Sequence, residues 1–472
     1  MTSQAYDLIV VGAGPGGYVA AARSAQLGLR TALIEKQDRL GGTCLLWGCI
    51  PTKALIHAAE VWQLCKGGAK TFGVTCEGAV FDWGRVQKRK DVAITKGSKG
   101  VELLMQEKGV TVIHGRAEID RPGRLFVHRD GDEPLSLGAP RLVLATGSTT
   151  TQLPGITIDG ERVLTSDHLL HIPQLPESLI VLGAGAVGVE FAAVMNAFGA
   201  RVTLVEMLPH ILPLEDPECS EEVAKYLKRK GMKIFTGSRA TGVERTETGV
   251  RVVLVPEAGG EETVVEASHL LVAVGRSPVT ADLHLERTAV RVNRRGYVHV
   301  DAMMETAEKG IYAIGDIVPT PQLAHLASRE ALVAVGHAGD RPLRPIRYDQ
   351  VPSCTYSTPE VASVGLTETE ARERGHQVRT GKFSFAALGK ASILNEPHGF
   401  VKIVGDGESD AVLGVHMVGP RVTELVAEAA SVIGGSMDLD AWSAIIHPHP
   451  TLSEALLEAV HAALGEPLHG VE

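Results

Sequence analysis

The sequence predicts an α/β protein made of two parallel-sheet βαβ units, each suited to a dinucleotide, followed by a smaller α+β domain. Three observations lead there. A strand–glycine turn–helix–strand pattern occurs twice, each copy ends in a glutamate at the same spacing, and the patterning changes beyond a proline-rich stretch at Arg341–Pro345.

The first copy runs from the apolar Tyr6–Val11 into Gly12-Ala13-Gly14-Pro15-Gly16-Gly17, then an alanine-rich helical stretch, then Thr31–Glu35. The second runs from Ser178–Leu182 into Gly183-Ala184-Gly185-Ala186-Val187-Gly188, a helical stretch ending at Gly199, then Val202–Glu206. Each turn is a GxGxxG. The first glycine permits the tight turn, the second lets a pyrophosphate reach the backbone, and the third lets the helix pack on the strand. The helix N-terminus then offers free N–H groups to the phosphates, and the terminal Glu receives ribose hydroxyls. Glycine turns serving packing alone are the alternative for one isolated copy. Two copies with equal spacing point to two Rossmann-like dinucleotide-binding domains.

Later signals fill in the organisation. Leu142–Ser148 and Leu270–Arg276 read as buried strands ending in polar turns, and Gly310–Asp316 as a strand ending in a carboxylate. Beyond the linker, Phe400–Val404 and Val412–Val418 read as strands, and Thr423–Val432 and Leu452–Leu464 as helices. The expected division is 1–150, 151–275, 276–345 and 346–472.

Among 472 residues, 44% are hydrophobic and 22% charged, as in an ordinary globular protein. Glycine reaches 52 residues, in keeping with many tight βα turns, and aromatics only 4%, so the core is aliphatic. A net charge of −10 argues against nucleic acid as a partner. No apolar run has the length of a membrane span, and Met1–Asp7 has no basic segment leading an apolar one. The expectation is a cytoplasmic chain. Its six cysteines are too few for a disulfide framework, and Cys65, Cys76, Cys219 and Cys354 read as inert thiols.

Cys44 and Cys49 are different. They lie in Gly41-Gly42-Thr43-Cys44-Leu45-Leu46-Trp47-Gly48-Cys49-Ile50-Pro51-Thr52-Lys53. Pro51 suits a first helical turn, and Ala54, Leu55, Ala58, Ala59 and Trp62 form an apolar helix face. Cys49 is then near a helix N-terminus, where the dipole favours a thiolate. Two structural thiols are one alternative. A zinc site is another, although no second ligand pair is nearby, so no metal is expected. A redox disulfide is the better reading, because the pair follows directly on the first dinucleotide unit.

This motif, in this order with the two glycine turns, resembles the class I pyridine nucleotide-disulfide oxidoreductase family, whose pattern is Cys-x4-Cys-Ile-Pro-(Ser/Thr)-Lys. The resemblance covers essentially the whole chain. It implies an FAD domain (1–150), an NAD domain (151–275), a central region completing the FAD domain (276–345) and a dimerisation domain (346–472). Carried over by position, it implies that Gly12, Gly14, Gly17, Glu35, Gly42, Thr43, Lys53, Ala117, Thr146, Gly147, Asp316 and Ala324 meet FAD. For NAD it implies Gly183, Gly185, Gly188, Glu206, Gly275 and Arg276. Cys44 and Cys49 would be the redox pair, and Lys53, one helical turn beyond Cys49, would pair with Glu190. On their own, Lys53 and Glu190 read as solvated charges.

Near the C-terminus, His447-Pro448-His449-Pro450-Thr451-Leu452-Ser453-Glu454 matches the family's His-Pro-Thr run with a Glu five residues after the His. By resemblance His449 is the base that takes a thiol proton and Glu454 holds its ring. Thr451-x-x-Glu454 also reads as a capping box before an apolar helix, and both readings stand.

Glu206 places a negative charge where the 2′-phosphate of NADP would sit, which favours NAD. Within the family, this and the His-x-His-Pro-Thr-Leu-Ser-Glu run resemble the members that oxidise protein-bound dihydrolipoamide. The implied partners are a second copy sharing its active sites and a lipoyl-bearing protein of a 2-oxo acid dehydrogenase-type complex. Members with a C-terminal cysteine pair differ from this tail, Leu468–Glu472. The chain departs from the family at Leu46, Trp47, Ala186 and Pro448. Alternatives are a reductase of another small disulfide, or a flavoprotein scaffold subunit of low turnover.

Overall fold

The computed structural model describes residues 4–129 and 131–469; the first three and last three residues of the ends read above lie outside them. Two compact units make up the chain. The first holds the described residues of Met1–Ala54, Arg85–Gln152 and Gly275–Ile346, and the second those of Leu55–Gly84, Leu153–Val274 and Arg347–Glu472.

The centre of the first unit is a five-stranded parallel sheet, in the order Ile311–Ala313, Leu142–Leu144, Leu8–Val11, Thr31–Glu35, Thr111–His114. Leu8–Val11 and Thr31–Glu35 are buried along their whole length. That is why they read as unbroken apolar runs and not as alternating strands: a parallel sheet is covered on both faces. The helix Pro15–Gln26 buries Gly16, Gly17, Ala20 and Ala21. Its small residues admit a close neighbour, since a Cβ on Gly16 would stand 3.3 Å from the Ala327 carbonyl oxygen in the helix Ala324–Ala338. A second sheet of four strands, with Arg116–Arg121 at one edge, completes this unit.

The second unit repeats the plan. Its parallel sheet has the order Val163–Leu164, His269–Val272, Ser178–Leu182, Arg201–Val205, Lys233–Phe235, and the helix Ala186–Phe198 follows the glycine turn. The helix ends at Gly199, with φ +111°. The C-terminal part is an antiparallel five-stranded sheet, in the order Ser353–Thr355, Glu360–Gly365, Val412–Gly419, Phe400–Asp406, Val378–Ser384. Helices Val422–Gly434 and Glu454–Leu464 pack their apolar faces, among them Val426, Ala429, Ala455 and Ala459, into one core with Val401, Ile403, Val415 and Trp442. The last helix begins two residues later than its apolar pattern suggests. Among the described residues, no helix is long and apolar enough to cross a membrane.

Candidate active site

Glycine geometry builds the first nucleotide turn. Gly12 has φ +101°, and a Cβ there would lie 2.3 Å from the Ala145 carbonyl oxygen. A Cβ on Gly17 would lie 1.7 Å from the oxygen of Gly12, so the helix meets the turn with no room for a side chain. No side chain caps the helix at Gly14, which leaves its first-turn N–H groups for a ligand. Glu35 is buried, and its two oxygens take the N–H groups of Ala13 at 2.8 Å and Gln37 at 2.9 Å. Each carboxylate oxygen keeps an acceptor site for a ribose hydroxyl.

The second turn, in its own unit, reproduces this. A Cβ on Gly188 would stand 1.9 Å from the Gly183 oxygen, and Gly185, an uncapped helix start, faces open space. Buried Glu206 takes the N–H groups of Ala184 at 2.7 Å and Leu208 at 2.9 Å. Both turns therefore fit the pyrophosphate and ribose of a dinucleotide.

The redox turn rests on the first nucleotide turn. Gly41 N–H donates to the Ala13 carbonyl at 2.9 Å, and Gly42, at φ +58°, comes so close to Gly14 that a Cβ would be 2.5 Å from its Cα. Only glycine allows this approach. Thr43 and Cys44 follow in the short helix Gly42–Leu46, where Leu45 fills the gap left by Gly97 of the helix Trp83–Glu107. Cys49 is the first residue of the helix Cys49–Lys66, and Lys53 lies on its next turn. Hydrogen bonding to Cys49, burial and the charge of Cys49 push the Cys44 thiol far up, against the pull of Lys53. Of the pair, Cys44 keeps the proton, while Cys49 sits at the helix end where an anion is stabilised. Tyr18, on the helix after the first glycine turn, also feels this pair: burial and then Cys44 push its hydroxyl up. Nothing in the sequence signalled Tyr18.

The remaining residues expected at FAD are on the same unit. Asp316 accepts the Ser148 hydroxyl, and Ser148 in turn receives Nε of Arg276 at 2.7 Å. The guanidinium also reaches the Ser148 carbonyl at 2.7 Å and the Thr43 hydroxyl at 3.4 Å. Arg276, expected at NAD, and Gly275 thus lie within the first unit, and Ser148 joins Arg276 to Asp316 in a network no motif announces. Thr146 gives its hydroxyl to the Val279 carbonyl, and Gly147 has φ +73°. Ala324 opens its helix with no side-chain cap. Ala117 is buried in the edge strand Arg116–Arg121, two residues past Gly115, whose N–H donates to the Glu35 carbonyl at 2.8 Å.

Glu190, His449 and Glu454 are on the second unit. Glu190 is buried and accepts the Tyr356 N–H at 2.9 Å. His449 Nδ1 lies 2.8 Å from Glu454 Oε1, and Glu454 Oε2 takes the Thr451 N–H at 2.8 Å. The capping and ring-holding readings of Glu454 both describe it, one oxygen for each. The Thr451 hydroxyl, however, turns to the Pro448 carbonyl, so the reciprocal half of a capping box is missing. Leu46 is buried, and Trp47 closes the short helix between the cysteines.

A model of the pyridine nucleotide-disulphide oxidoreductase family matches residues 6–331, and one of that family's dimerisation domain matches residues 351–460. The dihydrolipoyl dehydrogenase of Bacillus subtilis (strain 168) is 43% identical over 474 residues, covering 98% of this chain and 99% of its own. Among solved structures, LpdA of Mycobacterium tuberculosis superposes with a TM-score of 0.88 at 28% identity, over 97% of this chain and 99% of its own. The HOCl-induced flavoprotein disulfide reductase RclA of Escherichia coli, as its Cu(II) complex, gives 0.86 at 29%, over 98% and 99%. Matches spanning both the nucleotide-binding and the C-terminal parts show that the chain belongs to the pyridine nucleotide-disulphide oxidoreductase family.

Proposed function

We propose that this chain oxidises protein-bound dihydrolipoamide to lipoamide and reduces NAD to NADH, with FAD as resident cofactor. The observation that carries the proposal is the asymmetry of the cysteine pair: Cys44 holds its proton against Cys49, which starts a helix. The 43% identity to a dihydrolipoyl dehydrogenase along nearly the whole chain supports the substrate. The four-part division at 150, 275 and 345 belongs to the same reading.

In the forward reaction His449, steadied by Glu454, takes the proton of one substrate thiol. The thiolate attacks Sγ of Cys44, the Cys44–Cys49 bond breaks, and its electron pair leaves on Cys49. The second substrate thiol then attacks the mixed disulfide and releases the cyclic disulfide. Cys44 departs as a thiol and Cys49 as a thiolate. FAD, when bound, supplies the route for the electron pair from Cys49 to NAD. Lys53 and Glu190 serve that route as a cation and a buried carboxylate. Glu35 and Asp316 hold the first cofactor, and Glu206 the adenosine end of NAD.

The chain carries the family's dimerisation domain, and the proposed working form is a homodimer. Sharing of each active site between subunits fits the exposure of His449 on its own chain, 78% of the side chain. The other partner is a lipoyl-bearing acyltransferase or similar lipoyl protein. A cytoplasmic setting completes the proposal, supported by the thiol state of Cys65, Cys76, Cys219 and Cys354.

The test is an absorbance assay of FAD-loaded protein with dihydrolipoamide and NAD, and separately NADP. Rapid formation of NADH alone is expected. A flavin that NADH bleaches, with no turnover of dihydrolipoamide, overturns the substrate assignment and leaves another disulfide as the oxidant.

A further inference from the structure

Two residues before His449 stands a second histidine, His447, to which the proposed chemistry gives no task. The neighbours of this buried ring face outward: Ile446 is 94% exposed and the His449 side chain 78%. Nε2 of His447 lies 2.8 Å from Oε1 of Glu428, and Nδ1 lies 3.1 Å from the Ile445 carbonyl oxygen. The same Glu428 oxygen takes the indole N–H of Trp442 at 2.9 Å, and Trp442 is fully buried on the helix Leu439–Ser443. A carbonyl oxygen only accepts and an indole N–H only donates. An imidazole that faces an acceptor at each nitrogen satisfies both only with a proton on each.

We propose that His447 is a positioning residue for the base: a buried imidazolium, paired with Glu428, that anchors the segment bearing His449 and by its charge favours the unprotonated base. The inference rests on the reading of His449 as that base. Pro448 and Pro450 flank His449 and restrict the backbone between anchor and base. The charge at position 447 is felt at the dyad. Burial pushes the Glu454 carboxyl up, but the Thr451 N–H, His449 and His447 together hold it below the usual carboxylate range. The other charged groups of the neighbourhood are engaged elsewhere. His469 pairs with Glu458 at 2.7 Å, and Asp438 caps its own helix through the Ala441 N–H at 2.8 Å. Glu424 shares the helix of Glu428, at the end that neighbours Tyr356.

The experiment is the pH profile of kcat/KM for dihydrolipoamide, measured on the FAD-loaded dimer. His447→Gln removes the cation and leaves the Glu428 carboxylate bare, so His449 gains proton affinity. The acid limb is expected to move up by about half a pH unit. The double variant His447→Gln with Glu428→Gln replaces the ion pair by a neutral pair and returns the limb to the wild-type position. A purely structural role lowers the rate of both variants and moves neither limb. An unmoved limb in His447→Gln, or a limb that stays displaced in the double variant, overturns the proposal. If His447→Gln does not fold, the titration of [13Cε1]histidine-labelled wild-type enzyme decides. A ring resonance held at the charged position through pH 8, and missing in the double variant, supports the imidazolium, and its absence overturns it. His449→Gln separates this from the parent reading. A loss of about a hundredfold or more in turnover, with NADH still bleaching the flavin, keeps His449 as the base. Near-wild-type turnover in His449→Gln overturns both.

Discussion

His449 and Glu454 form a dyad held at 2.8 Å, and the second oxygen of Glu454 is tied to the Thr451 backbone. The carboxylate is thus fixed to the same turn as the ring it orients. Glu454→Gln should lower kcat/KM for dihydrolipoamide by about a hundredfold, in the range of a lost acid–base contribution. With the anion gone, His449 loses proton affinity, so the acid limb should move down. Stopped-flow reduction by NADH should be unchanged, since it does not call on this base.

The glycine turns predict a clean separation of the two cofactors. Gly17→Ala would press a methyl group into the Gly12 carbonyl and should yield colourless protein, read by the ratio of visible to ultraviolet absorbance. Gly188→Ala creates the same clash with Gly183 in the second unit. It should keep its flavin and lose NAD affinity, measured as a rise in KM of about tenfold or more, the equivalent of ~1.4 kcal/mol.

Glu206 predicts cofactor preference. Its carboxylate is buried and locked by two backbone N–H groups, so it cannot swing away from a 2′-phosphate. Glu206→Gln should weaken NAD and narrow the NAD/NADP ratio of kcat/KM by about ten- to a hundredfold. An unchanged ratio would show that another group selects the cofactor.

The cysteine asymmetry predicts a spectrum. Cys49→Ser should show no long-wavelength absorbance after two-electron reduction, because the residue beside the flavin is no longer a thiolate. Cys44→Ser should keep that absorbance and lose disulfide turnover. A band that persists in Cys49→Ser would reverse the assignment of the two sulfurs.

Stability should respond to acid through Lys402. Its buried Nζ lies 3.1 Å from Asp216, 2.6 Å from Glu218 and 3.2 Å from Glu368. Burial pushes Glu218 up, but hydrogen bonds from Lys382 and Lys402 hold it below its ordinary range. A hydrogen bond from Arg372 and then one from Lys402 do the same for Glu368. A depressed carboxylate stabilises the fold fully above its unfolded pKa of about 4.3, and the contribution is lost as pH falls further. The thermal midpoint should therefore be flat near neutrality and drop below about pH 4.5. Lys402→Met leaves Asp216 unpaired at 1% exposure and should cost about 3–5 kcal/mol at pH 7, read by denaturant unfolding.

Much of this protein was legible along the chain. The two glycine turns, their terminal glutamates and the cysteine pair are short motifs whose chemistry is local: a turn, a helix start and a carboxylate within one βαβ unit. Local motifs follow from residue type and spacing, so Gly12–Glu35, Gly183–Glu206 and Cys44–Cys49 could be read without coordinates. The family resemblance added His449 and Glu454, but spacing alone left Glu454 divided between a cap and a partner for the ring. Only the fold showed one oxygen serving each. The approach of Gly42 to Gly14, the Arg276–Ser148–Asp316 network, the exposure of Cys44 to Tyr18 and the enclosure of His447 between Glu428 and Ile445 were likewise decided by tertiary structure. These contacts join residues far apart in the chain or turn on which face of a segment is buried. No periodicity encodes such pairings, because they arise from packing whole elements against one another.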